Sequence, residues 1–445
     1  MALIKTLLIS LSLSTIFASK TFFVKPVAFV DYTSSGADYM VTDSPIAIVG
    51  AGLNAYFKKN QWTINAEYIQ LGLLGEIDKT IFNFSPRQSF PYLDDSKDAD
   101  GYWSEYATAR IKYISDNFEF NFGKFDRKWG FGKRSIHISN KSPSYPQFGF
   151  KWDINDNFTL TYFHGFLNSG IPDSNRSIYY NNSRSLNVPR NIAAHRIEWK
   201  MSENIIIGIN ESVIYATRLI DPHYLIPVIP FYPIENYLGD TDNLQMGCDA
   251  TFSLNKKSKL YFGFFMDELT PEWIFNSKNH NWFAWQLGIN AHNLFFNKEK
   301  IVIEYNWTDQ RIYKHKFNIN DYYSHQQPLG FWAGPHSEEF VFDYTLIFMK
   351  NRISFEYSDV KRGLSTRSMV EENYKDIQGR PFEDGSEKKQ LFNMFLERSM
   401  KITGLFYRFG FSYVKFINAG FNISEIGSSN EKLTLQIGLN YNFTN

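Results

Sequence analysis

The sequence predicts an all-β protein: a transmembrane antiparallel β-barrel of about 18 strands, with short periplasmic turns and long extracellular loops. Three observations predict this fold. Aromatic residues make up 18% of the 445 residues, although the mean hydropathy is only −0.34. Apolar and polar residues alternate over many segments, and tight turns alternate with long connections between those segments. A closed sheet with an apolar outer band, aromatic girdles and a polar interior accounts for all three.

Alternation with a period of two is the strongest signal. In the segment 433–443 every odd-numbered residue is apolar, and every even-numbered residue is Thr, Gln, Gly or Asn. The same pattern recurs at 118–122, 244–254, 301–307 and 340–348. Such alternation places one face of a strand on lipid and the other on water. Strands are predicted at 22–32, 46–58, 61–70, 103–114, 118–125, 146–154, 158–167, 193–201, 205–213, 243–254, 259–267, 281–292, 300–308, 338–349, 352–359, 388–398, 401–415 and 432–443.

The connections between these strands follow a rhythm. Those after even-numbered strands are mostly short, whereas those after odd-numbered strands are generally longer, up to the segment 215–242. This is typical of a barrel with both termini on the periplasmic side. A two-residue turn at Lys350-Asn351 would pair Phe348 with Ile353 and keep both on one face of the sheet.

The N-terminus reads as a secretory signal, so residues 1–19 are predicted as a signal peptide and 20–445 as the barrel domain. Lys5 supplies the positive charge, residues 6–17 form a short apolar stretch, and Ala18-Ser19 offers a small-residue cleavage zone. No later segment reaches the roughly 20 apolar residues that a membrane helix requires. The expected location is the outer membrane of a Gram-negative-type cell.

Composition argues against several other classes of protein. Cys248 is the single cysteine, so neither a disulfide framework nor a thiolate metal cluster is expected. Lys and Arg number 46 against 46 Asp and Glu, which does not suggest nucleic-acid binding. His137, His164 and His195 lie on or beside strands without a metal-ligand spacing. We therefore expect no catalytic residues, metal site or cofactor.

The phase of the strands predicts which side chains face the lumen. Both charge signs are interleaved in this set, which favours cross-wall ion pairs that brace the barrel over a conducting pore with rings of one sign. The predicted inward residues are Arg110, Lys112, Glu119, Asn121, Lys151, Asp153, Glu198, Lys200, Asp249, Gln286, Glu304, Asp343 and Glu356.

The segment 215–242 is long, Pro-rich and unusually apolar. In water it would be a sticky patch. Folded over or into the barrel mouth it would form a plug, and the alternative is a surface loop that binds a partner.

The run from Gly123 to Pro146, GKFDRKWGFGKRSIHISNKSPSYP, is predicted as an extracellular loop. Cations beside a flat indole suit an anionic carbohydrate, because Arg can fork onto a carboxylate while the ring contacts a sugar face. The equally weighted alternative is a loop folded inward, with its cations paired to lumen carboxylates. The candidate polysaccharide-binding residues are Arg127, Trp129, Lys133 and Arg134.

This run resembles the characteristic segment of the Wzi-like capsule-assembly family. The similarity spans about 103–252, and its matching positions include Gly130, Gly132, Ser139, Asn140, His195, Arg196, Asp242 and Asn243. The resemblance implies an eighteen-stranded outer-membrane barrel that acts as a lectin and helps attach capsular polysaccharide to the cell surface. Two departures from the family are a strand-like sequence directly after the signal, where well-known members carry a helical bundle, and Thr444 and Asn445 after the last aromatic residue.

The sequence thus predicts a non-enzymatic barrel whose extracellular loops bind capsular or other surface polysaccharide, with outer-membrane lipid around its wall. It assigns no oligomeric state. The alternative is a porin-like diffusion or uptake channel. A mouth sealed by the 215–242 segment would favour the lectin, and an open lumen with one narrow constriction would favour the channel.

Overall fold

A computed structural model describes residues 21–35, 44–75, 84–95, 101–180, 186–268, 281–371, 386–400, 404–419 and 429–442. Eighteen long strands form the wall of one closed barrel. They are β1 (Phe22–Thr33), β2 (Ile46–Lys59), β3 (Trp62–Leu74), β4 (Gly101–Ile114), β5 (Phe118–Phe125), β6 (Tyr145–Asp153), β7 (Phe158–Pro172), β8 (Asn187–Lys200), β9 (Ile205–Ala216), β10 (Asn243–Asn255), β11 (Ser258–Glu268), β12 (Trp282–His292), β13 (Glu299–Thr308), β14 (Ser337–Phe348), β15 (Asn351–Arg362), β16 (Glu387–Ser399), β17 (Leu405–Ile417) and β18 (Ser429–Asn442).

Each strand pairs antiparallel with its neighbours along the chain. The sheet closes where β1 pairs with β18, from Val27 opposite Asn442 to Thr33 opposite Gln436. Connections after even-numbered strands are short and those after odd-numbered strands are longer, so the barrel has a short-turn end and a long-loop end. The described chain begins and ends at the short-turn end. The predicted architecture is therefore confirmed, and in barrels of this type the long loops are extracellular.

Side-chain exposure confirms the predicted phase of the wall. In β18, Leu435 and Ile437 are 51% and 56% exposed on the outer surface, whereas the inward Gln436 is 4% exposed. Inward charges also pair as expected: Arg110 and Lys112 lie 3.2 Å and 3.0 Å from the carboxylate of Glu119. The alternation seen in the sequence thus separates a lipid face from a polar lumen.

The turn between β14 and β15 differs in detail from its prediction. The two turn residues are Met349 and Lys350, Phe348 pairs with Asn351, and Leu346 pairs with Ile353. The predicted pairing of Phe348 with Ile353 is therefore wrong, and the register of the two strands differs from the prediction by two residues. Because side chains alternate with a period of two, that shift leaves every residue on its predicted face.

Strand limits match the prediction most poorly at the long-loop end of β8. The strand begins at Asn187 rather than at 193. There the wall has loops packed against both of its faces, so its residues are buried on both sides and lose the alternation that marks a lipid-exposed strand.

The remaining elements of the described ranges are short. They are the α-helices Ser174–Ser177, Phe231–Tyr237 and Arg367–Glu371, the 3-10 turns Ile178–Tyr180, Pro222–Leu225 and Asn318–Asn320, and the two-residue strands Asp94–Asp95, Tyr323–Ser324 and Gln327–Pro328. None of the helices in the described ranges is long and apolar enough to cross a membrane. The predicted signal peptide, 1–19, lies outside the described residues.

Candidate functional site: the filled lumen and the barrel mouth

The loop between β5 and β6, residues 126–144, folds into the barrel, and we call it the lumen loop. Two segments of the loop meet where the backbone N–H of Trp129 donates to the carbonyl of Ile138 at 2.9 Å. Between them Gly130 has φ +97°, a conformation that favours glycine. The indole of Trp129 is 7% exposed and packs edge-on against the inward ring of Phe163, 5.3 Å between centroids.

The two cations at the tip of the lumen loop are paired with carboxylates of the wall. Lys133 contacts Asp343, and its ammonium lies 2.8 Å from Glu356. The guanidinium of Arg134 lies 3.0 Å from both Glu339 and Glu356. Burial alone would lower the pKa of Arg134, but these two carboxylates raise it overall. The loop is thereby fastened to β14 and β15.

A third strand joins this network through the backbone. The carboxylate of Glu304 on β13 accepts the N–H groups of Lys133 and Arg134 at 2.6 Å and 3.0 Å, and the hydroxyl of Tyr261 at 2.6 Å. A buried carboxylate is stable only when its oxygens are satisfied in this way. The loop tip thus binds carboxylates on three neighbouring strands, β13–β15.

Arg127 lies at the opposite wall. Its Nε donates to Gln147 at 2.7 Å, and its guanidinium carbon stands 4.2 Å from the centroid of the Phe163 ring. Burial lowers the pKa of Arg127 to about 10. All four candidate residues therefore face the interior, as in the inward alternative, and the indole and cations already have protein partners.

Small residues make room for the lumen loop. A Cβ on Gly132 would collide with the side chain of Gln286 on β12. A Cβ on the inward Gly208 would collide with Arg196, whose guanidinium forks onto Asp249 at 2.5 Å and 2.7 Å. The absence of a Cβ at Gly132 and Gly208 therefore leaves space for the side chains of Gln286 and Arg196.

The second half of the lumen loop contains His137 and two of the positions that match the family, Ser139 and Asn140. His137 is buried, with its Nε2 3.6 Å from Asp249. The N–H of Ser139 donates to the carbonyl of Leu329 at 2.6 Å. The side chain of Asn140 is exposed. Only Asn140 among these presents its side chain to solvent.

A second loop, residues 309–336 between β13 and β14, packs above the lumen loop, and we call it the mouth loop. The inward Arg190 donates to the carbonyls of three residues in its 318–323 turn at 2.6–2.9 Å. The hydroxyl of Tyr313 donates to the carbonyl of Ile136 in the lumen loop at 2.7 Å. The two loops form a single stack.

A third segment, residues 84–95, completes the filling from the other side of the barrel. Phe84 packs against Trp332 of the mouth loop, 5.2 Å between ring centroids, and its carbonyl accepts the ammonium of Lys389 at 2.9 Å. Gln88 donates to Asp126 at 2.7 Å. Three loops from different parts of the wall therefore meet inside the barrel.

A cavity of about 260 Å³ remains at the barrel mouth between the mouth loop and the start of the next long loop. It combines a cation, rings and amides: the Lys314 ammonium lies 4.1 Å from the ring centroid of Tyr323, and 3.4 Å from Asp321. We call it the mouth pocket. Its lining includes Lys314, Tyr323, Gln326, Gln327, Trp332 and Arg362.

A larger cavity of about 800 Å³ lies on the other side of the filling, at the short-turn end. Its lining includes Lys133, Lys298, Asp343, Arg352 and Glu356. The charged face of the lumen loop forms its roof. The two cavities are separated by the loop stack.

The loop between β9 and β10, residues 217–242, takes a different course from the predicted plug. It lies against the outer face of the wall, and we call it the outer loop. The hydroxyl of Tyr162 donates to the carbonyl of Tyr224 at 3.0 Å, and the ring of Phe231 stacks on His195 at 4.3 Å. The plug prediction for this segment is wrong, because its apolar side chains pack on outward-facing rings of the wall rather than in the polar lumen.

The remaining motif residues mark where the outer and mouth loops meet. Asp242 accepts the guanidinium of Arg218 at 2.5 Å and the hydroxyl of Tyr224 at 2.7 Å. The next residue, Asn243, faces inward and donates to the carbonyl of Asn320 at 2.9 Å. The Asp242-Asn243 pair therefore ties the two loops across the rim.

Sequence reasoning missed the mouth loop and its pocket. Its Pro, Gly and aromatic residues near 328–335 resemble an ordinary surface turn, and its inward course depends on Arg190, a residue distant in the chain. Within the described ranges no group of His, Cys, Asp and Glu is arranged to hold a metal ion. His164 and His195 instead pair with Tyr215 at 2.6 Å and Glu211 at 3.0 Å.

The fold and the filled lumen define an outer-membrane-type β-barrel whose interior is packed with its own loops. No protein-family model and no curated protein matches the sequence. The structure is similar to that of Wzi, an outer membrane protein involved in group 1 capsule assembly in Escherichia coli and a carbohydrate-binding β-barrel. The two share 14% identity with a TM-score of 0.57, over 100% of this chain and 88% of Wzi.

Outer-membrane channels of Pseudomonas aeruginosa also match, at lower scores. OccD3 (OpdP) shares 12% identity over 96% of this chain and 93% of its own, with a TM-score of 0.48. OprD shares 11% identity over 94% of each chain, with a TM-score of 0.46. At these identities the likenesses concern the fold alone, so membership of the capsule-assembly family stays a prediction.

Proposed function

We propose that this protein is a non-enzymatic barrel of the outer membrane that binds capsular or other surface polysaccharide at its long-loop end and helps hold it on the cell. The observation that supports the proposal is the mouth pocket on a filled lumen. A cation, rings and amides there suit an acidic sugar, which needs a charge partner, a flat face and hydrogen-bonding groups. The fold likeness to carbohydrate-binding Wzi agrees with it.

The pocket is tested with purified, folded protein and two polymers of equal length, polygalacturonate and neutral dextran. We expect the acidic polymer to bind more tightly, and its affinity to fall with salt, because added ions screen the attraction between the cation of the pocket and the carboxylates of the polymer. Replacing Lys314 and Tyr323 by Ala should lower that affinity at least tenfold. Lys257→Ala, an exposed cation at the short-turn end, is the control. An unchanged affinity in the Lys314/Tyr323 variant would contradict the proposal.

That Arg127, Trp129, Lys133 and Arg134 bind polysaccharide directly stays a prediction, and it requires that sugar can reach them. From the barrel mouth, sugar can reach Trp129 and Arg134 only if the lumen loop opens, because Trp129 is buried and Arg134 is paired with Glu339. Trp129→Ala combined with Arg134→Ala separates the possibilities. If the lumen loop only braces the barrel, the variant should be less stable but should bind polysaccharide with unchanged affinity once folded. If the loop contacts the sugar directly, the barrel should still assemble but should lose affinity for polysaccharide.

The channel alternative makes an opposite prediction in planar bilayers. A lumen occupied by three loops should give low conductance, since the mouth pocket and the short-turn cavity are separated by the loop stack. A large and steady open-state conductance of the unmodified protein would favour the channel over the lectin.

A further inference from the structure

The outer loop lies on the face of the wall that points away from the lumen. On β8, Arg196 enters the lumen, so the adjacent His195 must face outward. The ring of Phe231 stacks on His195. Tyr162, which pairs with His195 on the neighbouring strand β7, donates a hydrogen bond to the backbone of Tyr224. The loop therefore descends from the long-loop end along the outside of β7–β9.

The loop descends far enough to reach the apolar band of the wall. It is anchored at Glu211, six residues above Ile205, where β9 begins at the short-turn end. At about 3.3 Å per residue and a tilt of about 40°, that point is roughly 15 Å above the short turns, inside a band about 25 Å tall. The next outward pair below it, Ile209 and Ile197, is uncovered, and the two side chains are 63% and 47% exposed.

The anchor itself is a charged side chain on the lipid side of the wall. The carboxylate of Glu211 is 3.0 Å from the Nε2 of His195, and it accepts the backbone N–H groups of Phe231 and Tyr232 at 2.7 Å and 3.1 Å. It thereby caps the helix Phe231–Tyr237. A carboxylate facing acyl chains at this depth without such partners would cost several kcal/mol. The outer loop shields it.

The far side of the loop is suited to hydrocarbon. Its stretch 224–234, YLIPVIPFYPI, contains no charged residue. Val228 and Tyr232 are 70% and 57% exposed there, away from the wall. Three prolines in the stretch have no backbone N–H, so the irregular chain leaves fewer donors unsatisfied against lipid.

We infer that residues 224–232 are embedded in the outer leaflet of the membrane, with their exposed side contacting lipid acyl chains. The occupant is lipid because the exposed side of the loop adjoins the lipid-facing surface of the wall, where the pair Ile209 and Ile197 follows directly below Glu211 and His195. The outer loop thus adds to the lipid-facing surface of the barrel. This inference does not depend on what the mouth binds.

Site-directed spin labelling tests the inference on the full chain, folded in vesicles of phosphatidylethanolamine and phosphatidylglycerol. In a Cys248→Ser background, single labels are placed at Val228→Cys and Leu225→Cys, whose side chains are exposed and make room for the label. Ile209→Cys is the lipid-facing reference, and Tyr179→Cys, 86% exposed at the long-loop end, is the water-facing reference. Heat-modifiable gel mobility verifies folding.

Collision with oxygen, which concentrates in lipid, is compared with collision with a water-soluble nickel chelate. We expect both outer-loop labels to match the Ile209 reference, with high oxygen and low nickel accessibility. Nickel accessibility like that of Tyr179 would place the loop in water and overturn the inference. Low accessibility to both reagents, with dipolar broadening between labels, would show that a second copy of the chain covers the surface, and would overturn it equally.

Discussion

The lumen loop and the outer loop leave the same end of the barrel and fold onto opposite faces of its wall. The lumen loop brings Lys133 and Arg134 to the carboxylates of β13–β15. The outer loop brings rings and aliphatic side chains to the outward rings of β7–β9. The chemistry of each face therefore determines which loop packs there: the cationic loop binds in the polar interior, and the apolar loop binds on the lipid face.

Two adjacent residues of β8 serve these opposite loops. Arg196 points into the lumen and forks onto Asp249, beside His137 of the lumen loop. His195 points outward and pairs with Glu211 beneath the outer loop. A single strand thus supports both structures, and a change at either residue should affect one loop and spare the other.

The largest effect is expected from loosening the lumen loop. Arg134→Ala should lower the free energy of unfolding by about 3–5 kcal/mol, because it leaves the buried carboxylate of Glu339 without its cation. Arg134→Lys keeps the charge but loses the forked geometry, so its loss should be smaller. Denaturant titration followed by heat-modifiable gel mobility measures both. Equal losses in the two variants would show that the ion pairs do not fasten this loop.

The two faces of the wall should differ strongly in their tolerance of charge. Ile437→Arg places a cation in the apolar band and should cost roughly 2–4 kcal/mol, whereas Gln436→Arg points into the lumen and should cost much less. Assembly yield in lipid vesicles provides the measurement. Similar losses would mean that the sorting of the two loops has another cause than the polarity of the faces.

A smaller effect is expected from releasing the outer loop. Glu211→Ala removes the acceptor of two helix N–H groups and the partner of His195, which should cost about 1–3 kcal/mol. The loop should then be cleaved by protease within 217–242 while the lumen loop stays protected. Glu198→Ala, a lumen-side carboxylate that is more exposed, is the control. Resistance to protease in the Glu211 variant would contradict the anchoring role.

The smallest effect concerns acid. Burial lowers the pKa of His315 and of His325 in the mouth loop to about 4. Each stays neutral when folded and binds a proton below about 6.5 when unfolded, so their stabilising contribution is complete above about pH 6.5 and is lost as the pH falls towards 4.

From about pH 7 to about pH 6 each histidine should lower the free energy of unfolding by less than about 1 kcal/mol, since a shift of one full pKa unit corresponds to ~1.4 kcal/mol. Replacing His315 and His325 by Gln should flatten the pH dependence of the denaturation midpoint. A slope that persists in the double variant would assign the acid response to other groups.

The wall could be predicted from the sequence because its signal is local. The alternation of Leu435, Gln436 and Ile437 predicts which of these side chains faces lipid and which faces the lumen. The positions of the turns follow from the same pattern. The course of the loops could not be predicted in this way. Lys133 finds Asp343 and Glu356 far along the chain, and nothing near Lys133 specifies that meeting.

One signal in the sequence did point to the outer loop. On β9 the outward phase reads Ile207, Ile209, Glu211, Val213, which puts a carboxylate among lipid-facing residues. On β8 His195 interrupts the same face. Polar groups at lipid-facing positions require a cover, and the apolar 217–242 segment begins just after β9. The composition of the segment alone does not distinguish a plug from such a cover.

The cross-wall contacts of the lumen loop also constrain the order of folding. The residues that fasten its tip are separated from it by 170 to 223 positions along the chain. Contacts of such long range form only after the intervening strands have been brought together, since closing large loops carries an entropy cost that local pairing does not. The loop tip therefore docks onto the wall only once β13–β15 are in place.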